Sequence, residues 1–196
     1  MKKGTIIGLS VAGLFVIIFL WGNGLYNNMV TSDEVVSKSW ANVESQYQRR
    51  SDLIPNLVAT VKGYATHENK TLTEVVVARA KATQVTVDPT NITPEKLAEY
   101  QAAQSQVGSA IGRLLVSVEA YPDLKANQNF IELQAQLEGT ENRISVERQR
   151  FNDDVMAYNV LIRRFPSNII ANMTGFEKKA NFKADQGADK SPEVKF

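Results

Sequence analysis

No charged side chain occurs between Lys3 and Asp33, and within that interval Thr5 to Leu25 reads TIIGLSVAGLFVIIFLWGNGL. About twenty such residues cross a bilayer core of about 30 Å as a helix, so whatever follows has to fold beside a membrane. Trp21 and Tyr26 stand at its C-terminal edge, where amphipathic rings favour the headgroup region. Two lysines ahead of an apolar run also describe a cleaved signal peptide. Only Gly22 and Gly24 offer a small-x-small cleavage site, however, and the run is long for a signal. Residues 1–4 therefore read as a short basic N-terminus and residues 5–25 as a transmembrane anchor. Lys2, Lys3 and the terminal amine outweigh Lys38 on the other side, which keeps the N-terminus in the cytoplasm and puts the bulk outside it.

The remainder carries almost no net charge. Of 22 basic and 21 acidic residues, Lys2 and Lys3 precede the apolar run, so 20 basic residues face 21 acidic ones from Asp33 onward. That balance excludes a nucleic-acid surface, and no GxGxxG or P-loop pattern occurs. Zero cysteines remove disulfides and thiolate metal sites. His67-Glu68 begins like the zinc motif HExxH, but position 71 is Thr and there is no second histidine; the pair reads as the turn into the second helix. No serine stands in an SxxK or GxSxG setting, and Asp153-Asp154 project about 100° apart on a helix, a solvent-facing arrangement. The sequence thus offers no catalytic, cofactor-binding or metal-binding residue, and the chain reads as a non-enzyme without cofactor.

Helical spacing dominates from Asp33 on. Val36, Trp40, Val43, Tyr47, Arg50, Ile54, Leu57, Val61 and Tyr64 alternate steps of four and three, a heptad seam with one intruder. Thr31 and Glu34 form a capping box that starts this helix outside the bilayer, and Pro55 is expected to kink it. A shorter helix covers about Asn69 to Gln84, with Leu72, Val76, Arg79 and Thr83 on one stripe and Val75 and Val77 beside it. After the loop VTVDPTNITP, Thr93-Pro94-Glu95 restarts a helix bearing Leu97, Tyr100, Gln104, Val107, Ile111, Leu114 and Val118. The last and longest stripe runs Phe130, Leu133, Leu137, Thr140, Ile144, Glu147, Phe151, Val155, Tyr158, Ile162, Phe165, and Ser167 to Phe176 form one further turn. Residues 177–196 are polar and aperiodic, which predicts a mobile tail.

Short loops make neighbouring helices antiparallel. The chain is therefore expected to be all-α: an N-terminal transmembrane helix, then an up-and-down four-helix bundle over residues 26–176. Its first and last helices are the long ones, projecting toward the membrane as a two-helix stalk. Setting Asp33 level with Phe165 brings Arg50 within one position of the level of Glu147, which predicts a partly buried ion pair in a polar layer of Arg50, Arg79, Gln104 and Glu147, unless the arginine runs past the seam to water. Where the short second helix ends, Val43, Tyr47, Phe151 and Val155 are expected to form an open apolar flank for a partner, unless residues 85–93 fold over it. Arg163 and Arg164 cap the last helix, with lipid headgroups as their alternative contact. Asn56, Asn142, Asn152 and Asn159, poor helix formers, are expected to bond between helices.

Two long strings, QYQRRSDLIPNLVATVKGYATHENKTL (Gln46–Leu72) and YPDLKANQNFIELQAQLEGTENRISVERQRFNDDVMAYNVLIRRFPSNIIA (Tyr121–Ala171), with VVVARAKA between them, resemble the LemA family of bacterial proteins. The resemblance covers about residues 26 to 182. It implies an N-terminal anchor and a four-helix bundle, and it implies no established activity, substrate or cofactor. By elimination, the chain is expected to be a single-pass protein of the bacterial cytoplasmic membrane that acts as an interaction or scaffold module at the cell envelope, with protein partners or a second copy of itself. The alternative is a small-ligand receptor or enzyme with its site between the helices.

Overall fold

The computed structural model describes residues 3–65 and 68–183. His67 and the tail beyond residue 183 lie outside them. Among the described residues there are six helices and no strand: α1 Lys3–Tyr64, α2 Asn69–Ala82, α3 Pro94–Val118, α4 Pro122–Lys125, α5 Gln128–Arg163 and α6 Ser167–Thr174.

The expected break between anchor and soluble helix is absent. α1 is one helix of 62 residues, about 93 Å at the usual rise. Thr31 does not cap; its hydroxyl donates to the Asn27 carbonyl one turn back, at 2.9 Å. No proline separates the apolar segment from the heptad seam, so continuing the helix keeps every backbone bond paired. Pro55 lies inside α1 without ending it. Up to Trp21 the described apolar side chains of this helix are exposed, and α1 is long and apolar enough there to cross a membrane.

From Met29 onward α1 buries the predicted stripe through Val61; Tyr64 is exposed, and Ala65 takes its place. The α3 stripe also matches the spacing, and so does the α5 stripe from Phe130 to Ile162 except at the half-buried Glu147; Phe165, its predicted end, lies past α5 and is exposed. Thr93 caps α3 by accepting from the Lys96 amide, with Pro94 at its first position. α2 differs by one residue in phase: Leu72, Val75, Ala78 and Ala82 are buried, whereas Val76 and Val77 face solvent. The small Ala78 and Ala82 share a core with Ala110 and Val107 of α3, so the narrow side of α2, not its valine-rich side, lets the two helices approach.

α5 packs along α1, and α2 packs along α3 while touching α1. The core has two parts. Toward the apolar end, Met29, Val36, Trp40 and Val43 of α1 join Phe151, Val155, Tyr158 and Ile162 of α5 with Tyr100 of α3. Away from it, Ile54, Leu57 and Val61 join α2, the distal half of α3, Leu124 of α4 and Phe130 of α5. α2 serves only the second part. In the first, its place is taken by Val87 and Ile92 of the connecting loop and by Phe182.

Phe182 belongs to the stretch predicted as a mobile tail, and residues 177–183 are instead packed. α6 is two turns long rather than one, and ends on Gly175, whose φ of +80° suits glycine. The chain then runs back along α5. Asn159 accepts from the Lys179 amide (3.0 Å) and donates to the Lys179 carbonyl (2.9 Å); Asn152 does the same for Phe182 (2.8 and 3.1 Å). Each asparagine acts as a side-chain copy of a peptide group. Two of the four asparagines thus bind this segment instead of a neighbouring helix, while Asn56 and Asn142 are exposed. Asn159→Ala leaves two buried backbone groups unpaired and is expected to cost about 2 kcal/mol, with faster amide exchange at Lys179 than at core positions of α3 as the site-specific readout.

Candidate functional site

Arg50 is the intruder in the α1 seam and the first buried cation of the fold, 3% exposed at the junction of the two core parts. Its guanidinium donates to Glu141 Oε1 of α5 at 2.7 Å, and to both the carbonyl and Oε1 of Gln104 of α3, at 2.9 and 2.8 Å. The Tyr47 ring lies under it, 5.1 Å from centroid to Cζ. A planar fork on one side chain thereby ties three helices together.

Of the predicted layer, Arg50 and Gln104 come together. Arg79 lies beside them, its Nε donating to the Ser51 carbonyl at 2.9 Å. Glu147 does not join: it pairs with Arg150 at 3.1 Å, and its Oε2 is buried without a hydrogen-bond partner among the described residues. The carboxylate facing Arg50 is Glu141, about two helical turns away from the predicted level. α5 has slid that far toward the apolar end of α1, so that Leu161 and Ile162 share a core with Met29. Asp33 is therefore not level with Phe165, and in place of a stalk of two long helices Ile170 of α6 lies beside Gly22 and Phe176, just after α6, beside Tyr26.

The predicted interaction flank is also corrected. Val43, Tyr47, Phe151 and Val155 are all buried. Val87 and Ile92 of the loop cover them as the alternative reading had it, and Phe182 completes the seal. Trp40 meets Phe151 edge-on at 5.5 Å and stacks on Phe182 at 5.9 Å.

A second buried cation escaped sequence reasoning. Lys179 Nζ contacts Asp33 Oδ1 at 2.8 Å and donates to the carbonyls of Pro89 (2.8 Å) and Thr90 (3.2 Å), with the Tyr158 ring 5.6 Å away. It joins the chain's last described segment to the start of the seam and to the loop. Asp33, the first charge after the apolar run, was the sole available signal; nothing in an aperiodic tail marks one lysine as buried.

Beside Arg50, a cavity of about 110 Å³ opens between α1, α2 and α3, lined by Tyr47, Ser51, Arg79 and Tyr100 among others. The Ser51 hydroxyl is buried without a partner among the described residues, which suits ordered water. Among the described residues no group of three His, Cys, Asp or Glu is placed to hold a metal. Arg49 is exposed.

Burial pushes the hydroxyls of Tyr100 and Tyr158 up, the latter to about 12, helped by Asp33 and Glu177. The folded state holds these protons where the unfolded chain, near 10, has released them. Their contribution to stability is complete below pH 10 and lost as pH rises through about 12. At pH 11 the phenolate absorbance of the folded protein should fall short of the unfolded chain's by most of the share of Tyr100 and Tyr158 among the six tyrosines, with Tyr121, also raised by burial and by its hydrogen bond to Glu68, adding to the deficit.

The LemA family profile matches residues 39–196. It begins inside α1, after the apolar segment, and runs past residue 182, where the sequence resemblance stopped. Magnetosome protein MamQ 2 of Paramagnetospirillum magneticum is 26% identical over 181 residues, covering 84% of this chain and 66% of the relative. MamQ of Magnetospirillum gryphiswaldense matches with the same figures. Protein LemA of Metamycoplasma hominis is 24% identical over 174 residues, covering 89% of this chain and 74% of the relative. The chain spans just under two thirds of the magnetosome relatives' length.

Proposed function

Because the chain belongs to the LemA family, we propose that it is a single-pass, membrane-anchored interaction module that binds proteins at the bacterial cell envelope, with α1, α2, α3 and α5 as an up-and-down four-helix bundle. The observation that carries this reading is the continuity of α1. One helix passes without a break from exposed apolar side chains at Ile7 to Trp21, through Gly22 and Gly24, into the buried seam at Met29. A tether of that kind holds the packed core at a set distance from the bilayer, as a scaffold requires and a freely diffusing enzyme does not. Two relatives take their name from the magnetosome, a cellular assembly and not a reaction, which favours an assembly role over a catalytic one.

Photocrosslinkers at exposed Val77 of α2 and Val116 of α3 are expected to give discrete protein adducts, or copy-to-copy adducts, in the native membrane. The cavity beside Arg50 favours the second reading, a small-ligand receptor or enzyme. Absent adducts, together with a small molecule retained by the detergent-purified protein in native mass spectrometry, would decide for it. The lysine bias at the N-terminus supports placing the core outside the cytoplasm of the inner membrane. A C-terminal alkaline phosphatase fusion should then be active; an inactive fusion beside a fluorescent cytoplasmic reporter reverses the placement.

A further inference from the structure

The apolar surface of α1 ends where α6 begins to cover it. A side chain on Gly22 would meet Ile170 Cδ1 at 3.6 Å, and the rings of Tyr26 and Phe176 lie 5.8 Å apart. Passing from Ile170 to Phe176 therefore accompanies passing from Gly22 to Tyr26, so the two segments run in the same sense. Ile162 at the end of α5 shares a core with Met29, and Ser167 at the start of α6 is buried, so the turn between them lies at the height of Gly22 to Met29, next to the end of the exposed apolar segment at Trp21.

That turn carries apolar side chains with no protein neighbour to explain them. Phe165 is 80% exposed, Ile169 51% and Met173 80%. Ile169 and Met173, four residues apart in α6, share one of its faces, and Phe165 is exposed in the turn just ahead of it. Arg163 and Arg164, both exposed, sit immediately ahead of them. Elsewhere Val116 of α3 and Ile131 of α5 are isolated, and the pairs Val76-Val77 of α2 and Met156 with Val160 of α5 have no adjacent arginine pair. This patch flanks Ile170, which reaches Gly22 at the end of the exposed apolar surface of α1.

We propose that the α5–α6 turn is a second membrane contact, with Phe165, Ile169 and Met173 seated in the headgroup and upper acyl region of the bilayer that α1 spans, and Arg163 and Arg164 on anionic headgroups. The proposal rests on α1 being the anchor. Its physical basis is that of an interfacial helix, whose apolar face lies about 5 to 10 Å into the boundary while adjacent cations meet lipid phosphate. A single helix leaves its protein free to tilt and rotate; a second contact beside it fixes the orientation of the core relative to the bilayer.

The chain has no cysteine, so single-cysteine variants report one position each. Phe165→Cys, Ile169→Cys, Phe15→Cys and Lys125→Cys, each in the full chain and labelled with an environment-sensitive dye, are placed in vesicles of equimolar phosphatidylcholine and phosphatidylglycerol. Phe15 reports on the anchor and Lys125 on the far end of the core. Lipids spin-labelled near the headgroup end of the acyl chain should quench the dyes at 165 and 169 at least about twofold more than the dye at 125. Lipids labelled near the tail end should quench the dye at 15 best. If the dye at 15 is quenched and those at 165 and 169 behave like that at 125, the anchor stands and this proposal falls. If the dye at 15 is unquenched as well, the anchor reading itself fails. A dye at 169 shielded equally in detergent and vesicles, with disulfide formation between copies of the unlabelled variant, puts a second copy on this face and also overturns the proposal.

Discussion

Replacing Arg50 with alanine is expected to destabilise the protein by about 3 to 5 kcal/mol, the cost of breaking a buried ionic cluster from its inner side, and to lower the melting temperature by about 6 to 20 °C for a chain of this size. The loss comes less from the ion pair than from what remains. Gln104 Oε1 loses the Arg50 donor and the Gln104 carbonyl keeps only its helix bond, and the Tyr47 ring loses the plane packed on it. Glu141, whose side chain is 47% exposed, can turn to water, so Glu141→Ala should cost under about 1 kcal/mol. Arg50→Lys should recover only part of the loss, because an ammonium cannot match the fork that reaches two helices at once. Thermal and urea melts of the three variants check the asymmetry. A loss below about 1 kcal/mol for Arg50→Ala would mean that the side chain reaches water along its own helix. A double-mutant cycle should couple Arg50 to Glu141 and leave Arg50 uncoupled from Glu147.

Phe182→Ala should cost about 3 kcal/mol, the lower end of the range for a buried phenylalanine because the segment that bears it can partly relax. Its ring stacks on Trp40, meets Phe151 edge-on at 5.4 Å and lies under the Arg148 guanidinium at 4.8 Å. The experiment separates two accounts of this part of the chain. A mobile tail predicts a neutral substitution; a packed strap predicts a core one. With Trp21 replaced by phenylalanine, Trp40 is the one remaining tryptophan. Its emission should then shift to the red in Phe182→Ala as the stacked face opens to water. Phe182→Leu, which keeps most of the apolar area, should retain most of the stability.

The particular residues show what can be read locally. Trp40, Val43 and Tyr47, or Tyr100, Gln104 and Val107, declare a buried face because helical spacing is a property of a few adjacent turns. Arg50 could be singled out for the same reason, as a charge on an apolar stripe. Its acidic partner could not, since sliding α5 along α1 by two turns leaves both stripes facing each other. What sets that position is where the turn at Phe165-Pro166 and α6 come to rest beside Gly22 and Tyr26. The phase of α2 was misjudged because its valines signal apolarity on one side, whereas Ala78 and Ala82 permit the closer approach on another.

Two features therefore divide cleanly. The all-helical class, the apolar segment at the N-terminus, the faces of α1, α3 and α5 and the cap at Thr93 follow from the sequence alone, because each depends on side chains within a few turns of one another. The partner of Arg50, the burial of Lys179 and the closing of the flank by Phe182 were decided only in the tertiary structure. Each of these joins residues far apart in the chain. The strap is held through its backbone by Asn152 and Asn159, and every residue but proline carries the same peptide groups, so the segment that closes the core leaves no periodic trace in its own sequence.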